Sequence, residues 1–143
     1  MTRYLFLYGT LMPDHAPAEI ARTVRNLRRI ASGRVPGRLY DFGDYPGAIF
    51  TPSGSSAIKG EVYDLHGGMN LLRRLDTYEE FDELHPEDSL FVRKKRLVRL
   101  KGSRQVLAWV YEYNGDPSAG ILIPTGDYRK WVKTRKQRRA TRA

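Results

Sequence analysis

"LFVRKKRLVRLKGSRQVLAWVYEY", residues 90 to 113, holds two long runs of β-favouring residues on either side of "KGSR". Branched and aromatic residues at this density read as strands, and the short Gly-containing segment between them reads as a hairpin turn. The second run, "QVLAWVYEY", is apolar on both faces, with Val106, Ala108 and Val110 alternating with Leu107, Trp109 and Tyr111. Such a strand must be covered on both sides, which places it at the centre of a sheet.

Four more strands lie upstream. "RYLFLY" (3 to 8) is short, apolar and aromatic, and runs into a turn at Gly9. "GRLYDF" (37 to 42) and "GAIFT" (47 to 51) sit in a section punctuated by Gly and Pro, and "IKGEVYDL" (58 to 65) follows. Two segments carry helical periodicity. "PAEIARTVRNLRRIASG" (17 to 33) repeats Ile20, Val24, Leu27 and Ile30, with Pro17 suited to its first turn and Gly33 placed to stop it. "GGMNLLRRLDTYEEF" (67 to 81) opens after two glycines, and "DELHPEDS" (82 to 89) is a polar loop. About six strands against two helices leave too few crossovers for a doubly wound parallel sheet. The fold predicted is α+β, a small mixed β-barrel with two flanking helices.

The chain of 143 residues fits one domain with one core. It has no cysteine, which excludes disulfides, thiolate nucleophiles and Cys-based zinc sites. No apolar run approaches the length of a membrane span, and the first residues are too short and too soon interrupted for a secretory signal, so a cytoplasmic location is expected. The net charge is +9, of which eight come from "RKWVKTRKQRRATRA" (129 to 143), leaving +1 for the rest. The chain therefore divides into a nearly neutral domain over 1–128 and a basic C-terminal tail over 129–143. That tail reads either as a solvated end or as a weak contact to nucleic acid or another acidic partner.

On the helix of 67 to 81, Leu72, Leu75 and Glu79 fall at i, i+3 and i+7, on one face, whereas Glu80 points elsewhere. A carboxylate on a core-facing stripe is unfavourable unless it is paired or lines a cavity, and desolvation raises its pKa towards the range of a general base near neutral pH. The other reading is a Glu at a fraying helix end, bonded to an amide or an Arg. Asp76, at the edge of the face, is expected to orient the helix end or pair with an Arg.

The second candidate is the turn "YGTL", Tyr8, Gly9, Thr10 and Leu11. Gly9 permits unusual φ and a close approach to the backbone, and the successive N–H groups of Gly9, Thr10 and Leu11 could converge on an anion or a polarised carbonyl. A plain tight turn is the alternative. No metal or cofactor is expected. His15, His66 and His85 lie far apart, and there is no nucleophile elbow, no phosphate-binding P-loop and no dinucleotide fingerprint.

Taken in order, these segments resemble the γ-glutamylcyclotransferase-like family, which includes the AIG2-like proteins. "YLFLYGTL" is similar to the family's opening strand and substrate loop, "GRLYDFGDYPGAI" to its Tyr-Pro-Gly section, and "LDTYEEFD" to its Leu-Asp-x-x-Glu signature. "KGEVYDL", "EDSLFVRKKRLV" and "AWVYEY" continue the order, and "GDYRKW" resembles its Gly-Asp-Trp ending. The resemblance implies a pocket between the first strand's loop and the acidic helix. Glu79 takes the place of the catalytic acid, and Tyr8, Gly9, Thr10 and Leu11 that of the substrate loop.

It also implies cofactor-free cleavage of γ-glutamyl amides, in which the substrate's α-amine attacks its own γ-carbonyl to give 5-oxoproline and a free amine. The partner implied is a small γ-glutamyl molecule, and a monomer is slightly favoured. Glu80 stands where many members carry Gly, Tyr128 where the usual residue is Trp, and the basic tail is outside the pattern. A second reading keeps the pocket as a non-catalytic metabolite-binding site, with the tail docking on RNA. Tyr45, Tyr111, Tyr113 and Tyr128 are candidate pocket walls or core residues.

Overall fold

The computed structural model describes residues 2–9, 20, 22, 24, 26–65 and 69–141, with side chains omitted at 69 and 136–141. Among the described residues are seven strands, which we number β1 (Tyr4–Leu7), β2 (Arg28–Asp41), β3 (Pro46–Phe50), β4 (Ala57–Asp64), β5 (Phe91–Arg99), β6 (Gln105–Tyr113) and β7 (Ile121–Ile123). Two helices are complete among the described residues, α1 (Met69–Tyr78) and α2 (Tyr128–Thr141).

Strand order β2-β4-β1-β6-β5 closes into a five-stranded barrel because β5 returns to pair with β2 at Arg34↔Arg99. All pairs around the ring are antiparallel except β1 with β6. The barrel is therefore mixed, and closure removes its sheet edges. The second half of β2 leaves the ring and carries β3 on one side and β7 on the other.

Alternation along the strands sorts side chains into two apolar clusters. Phe6, Tyr8, Val35, Ile58, Val62, Val98, Ala108 and Val110 point into the barrel. Leu5, Leu7, Tyr63, Phe91 and Tyr111 point outward and meet Leu72 and Leu75 of α1. The two-faced apolar pattern of 105–113 is accounted for from Ala108 onward, whereas Leu107 is exposed. Ala108 and Val110 fill the barrel, Tyr111 lies beneath α1, and β6 is flanked by β1 and β5. "KGSR" is the turn, a short 3-10 segment over Lys101–Ser103.

The helix expected over 17 to 33 is shorter than its periodicity suggests. Ile20, Arg22 and Val24 are helical, and Ile20, Val24 and Leu27 are buried against α1's cluster. From Arg28 onward the chain is strand, paired with β4 from Arg28 to Pro36 and bulged between Arg29 and Ala31. Ladder pairing outcompetes the helical repeat there. Gly33 stops no helix. It lies inside β2, and a Cβ on it would come 2.4 Å from Val98 Cγ1.

The basic C-terminal stretch is largely ordered into α2, and its first turns are not a solvated end. Tyr128 and Val132 join the interior cluster, and Trp131 packs against it. Trp131 Nε1 donates to Asp41 Oδ2 at 2.7 Å, and Arg135 Nη1 to the same oxygen at 3.0 Å. Asp127 Oδ1 accepts from the Lys130 N–H at 3.2 Å, an N-cap at the helix start. The basic residues of 129–135 therefore sit on a helix anchored to the barrel by its apolar side.

Candidate functional site

The end of α1 carries a C-terminal motif that fixes Glu79. The Phe81 N–H donates to Asp76 O at 2.8 Å and the Glu80 N–H to Thr77 O at 3.2 Å. These are the paired bonds of a Schellman motif, in which Glu79 is the helix's terminal half-residue and Glu80 occupies the left-handed position, at φ 55°. Glycine is the residue best suited there, since a Cβ in the left-handed region costs about 1 kcal/mol. Glu80→Gly is accordingly expected to stabilise the protein by about 0.5–1 kcal/mol, raising the midpoint of thermal unfolding. An unchanged or lower midpoint would refute this account of the helix end.

Below this end sits a buried polar tie. Asp76 Oδ1 accepts from Arg93 Nε at 2.9 Å and from the Tyr111 hydroxyl at 2.6 Å. The Arg93 side chain is only 6% exposed and its guanidinium lies 4.3 Å over the Trp109 ring. The expectation that Asp76 pairs with an Arg holds, and the Arg comes from β5.

Glu79 has no such partner. Its pKa is pushed up to about 8, and the cause is burial. No hydrogen bond or ion pair to its carboxylate occurs among the described residues. It faces a hollow lined also by Phe6, Leu7, Tyr8, Gly9, Tyr45, Pro46, Phe91 and Tyr111. The free space is about 20 Å³, room for about one water molecule. A carboxyl there can exchange a proton with any small group that enters.

Tyr8 and Gly9 line this hollow with Glu79, whereas Thr10 and Leu11 lie outside the described residues. The Tyr8 hydroxyl is occupied by backbone. It donates to Tyr111 O at 2.6 Å and accepts from the Ala48 N–H at 3.3 Å. Burial, and then the nearby Glu79 charge, hold the Tyr8 phenol well above its usual pKa. At Gly9 the requirement is space and not φ, because a Cβ would come 2.4 Å from Pro46 Cγ.

Tyr45 and Tyr111 are walls of the hollow. Tyr113 stacks on Phe42 at 4.2 Å, and Tyr128 is in the barrel core. Pro46 and Phe91 were not singled out by sequence reasoning. Pro46 had a signal, the Tyr-Pro-Gly run at 45–47, but Phe91 looks like any strand residue. A larger cleft, about 570 Å³, shares no residue with this hollow.

A family model described as "Gamma-glutamyl cyclotransferase, AIG2-like" matches residues 5–130. The chain is 28% identical over 131 residues to a protein of Methanocaldococcus jannaschii named "Putative gamma-glutamylcyclotransferase MJ1514", covering 90% of this chain and 97% of that one. Among solved structures, an AIG2-like protein from Mus musculus superposes with a TM-score of 0.70 at 20% identity, covering 88% of this chain and 87% of that one. YkqA from Bacillus subtilis superposes with a TM-score of 0.70 at 21% identity, and the alignment takes 96% of this chain but only 43% of YkqA. At these identities the two structures establish the fold alone. No described helix is long and apolar enough to cross a membrane.

Proposed function

The chain belongs to the gamma-glutamyl cyclotransferase, AIG2-like family, and from that premise we propose that it is a cofactor-independent γ-glutamyl (amine) cyclotransferase with Glu79 as its proton-transfer residue. The observation that carries this reading is an unpaired, desolvated carboxyl at the wall of a hollow that also borders the Tyr8–Gly9 turn. Asp76, three residues earlier on the same helix, is by contrast bonded to Arg93 and Tyr111.

In the reaction the α-nitrogen of the γ-glutamyl group forms a bond to the γ-carbonyl carbon, and the bond from that carbon to the leaving nitrogen breaks. The attacking amine must shed a proton and the departing nitrogen must gain one, so a single carboxyl can take the first and give the second. The α-amine of a γ-glutamyl group stands beside a free carboxylate and is an ammonium at neutral pH, so a carboxyl raised to about 8 is a better matched proton acceptor for it than an ordinary one. A carboxylate near 4 would be a much weaker base. Ring closure is intramolecular, so holding the substrate bent supplies a further large factor.

The hollow admits one small polar group as it stands, and a γ-glutamyl head requires it to widen. By the family resemblance, the N–H groups of Gly9, Thr10 and Leu11 are the proposed donors to the substrate's carboxylate or oxyanion, and of these only Gly9 is among the described residues. Phe6, Phe91 and Pro46 keep the site apolar, which sustains the raised pKa of Glu79.

The test is a mass-spectrometric screen for 5-oxoproline with the purified chain and a panel of γ-glutamyl amino acids, γ-glutamyl-lysine and larger glutamyl amides. At least one member of the panel is expected to yield 5-oxoproline in step with free amine. Silence across the panel, from protein shown to be folded, would count against catalysis and favour the binding-module reading.

A further inference from the structure

The barrel's closing seam carries a row of cations that its own fold does not neutralise. Arg34 of β2 stands directly opposite Arg99 of β5 on one side and Lys59 of β4 on the other. Like charges in direct cross-strand register destabilise a sheet. Their neighbours Val35, Val98 and Ile58 point into the barrel, so all three cations face outward together. There they line the 570 Å³ cleft with Lys101 of the following turn. None of these four makes an ion pair among the described residues.

The acids at the cleft do not offset them. Glu61 is bonded by both Arg29 and Arg129. Asp127 caps the start of α2 and keeps its charge, but the lining as a whole sets five cations, Arg129 included, against Glu61 and Asp127. The cleft volume falls in the range of small-molecule sites, roughly 300–1,000 Å³. At the spacing of neighbouring strands the cation row spans about 10 Å. This is a reach suited to a short chain of linked phosphates, and the lining offers no aromatic ring on which a base could stack.

We propose that this cleft is a second binding site, independent of the Glu79 hollow, for a small polyphosphate anion of two or three linked phosphates held by Arg34, Lys59, Arg99 and Lys101. Recognition falls on the phosphates. Inorganic tripolyphosphate and a nucleoside triphosphate should therefore bind comparably, and single phosphate much more weakly. The repulsion built into the unoccupied row is relieved when the anion arrives.

Titration calorimetry of the full chain with sodium tripolyphosphate at low salt tests this. Saturable binding with one anion per chain is expected, weakening as salt rises. The Arg34→Gln/Lys59→Gln variant should bind about tenfold more weakly or worse. Its unliganded melting temperature should be equal to or above that of the parent, because the opposed charges are gone. Lys101→Gln, in the exposed turn and outside the strand ladder, provides a loss of affinity that cannot come from misfolding. Glu79→Gln should bind tripolyphosphate as the parent does.

Absence of saturable binding by the parent overturns the proposal, as does undiminished affinity in both charge variants. A single-stranded RNA 10-mer supplies the other source of linked phosphates. If it binds and tripolyphosphate fails to displace it, the small-anion assignment is wrong.

Discussion

Glu79→Gln is expected to lower 5-oxoproline release by about 10²–10⁴-fold while leaving the fold intact, because Gln keeps the shape of the side chain and loses only the transferable proton. The parent's rate should itself depend on pH in a defined direction. With its pKa at about 8, the carboxyl is mostly protonated at neutrality, and the basic form needed to accept the amine's proton grows as pH rises through 8. Rates measured from pH 6 to 9.5 should climb across that range and level off above it. The Gln variant's residual rate should show no such rise.

Stability should move the other way. The folded-state pKa lies above the unfolded value of about 4.5, so between the two the native state holds the extra proton. The parent therefore loses stability as pH increases from 4.5 through 8, and the Gln variant lacks this slope. Denaturant melts at pH 6 and pH 9 would show the parent weakening relative to the variant. Equal turnover by a folded Gln variant removes Glu79 from the chemistry, and equal pH slopes remove its desolvation.

The opposite pH trends of rate and stability have one cause, and that cause was only half legible in the sequence. The spacing Leu72, Leu75, Glu79 put the acid on the packed face of α1, and the packed face is where it lies, since both leucines are fully buried. What spacing could not convey is that Glu79 ends the helix. The left-handed turn at Glu80 is closed by two local backbone bonds, Phe81 N–H to Asp76 O and Glu80 N–H to Thr77 O, that no side-chain pattern announces in the absence of Gly. The paired strands of 90–113 were legible because two apolar faces have few alternatives to a central position.

Residues 28–33 were not legible, since Leu27 and Ile30 continue a helical repeat begun by Ile20. Pairing with β4 decides that segment, and its partner lies some thirty residues away. β7 is three residues long and two of them are exposed, which leaves no periodicity to read. The charge of 129–143 concealed Val132, whose burial depends on a barrel formed earlier in the chain. The cation row at the seam was invisible for the same reason. Arg34, Lys59 and Arg99 are distant in sequence and become neighbours only when the barrel closes.

Asp76→Ala is expected to have the largest effect on stability, a loss of about 3–5 kcal/mol. The substitution removes the acceptor from two buried donors together, Arg93 Nε and the Tyr111 hydroxyl. The guanidinium, almost wholly shielded and stacked on Trp109, is then a buried charge without a counter-ion. Such a charge is worse than having neither partner, so Asp76→Ala and Arg93→Ala should not add. The double variant should be less destabilised than the sum of the singles by about 1–3 kcal/mol. Thermal unfolding should fall by about 10 °C for Asp76→Ala, given the usual response of a domain near this size. Trp109 emission should shift in either single variant, since both disturb the cation above its ring. The tie holds the last turn of α1 against β5 and β6, and so holds Glu79 over the hollow. A variant kept folded by low temperature should therefore lose turnover in excess of any change in its folded fraction. Additive destabilisation by the two alanines would show that Asp76 and Arg93 act separately, and the positioning of Glu79 would then have to rest on the apolar face of α1 alone.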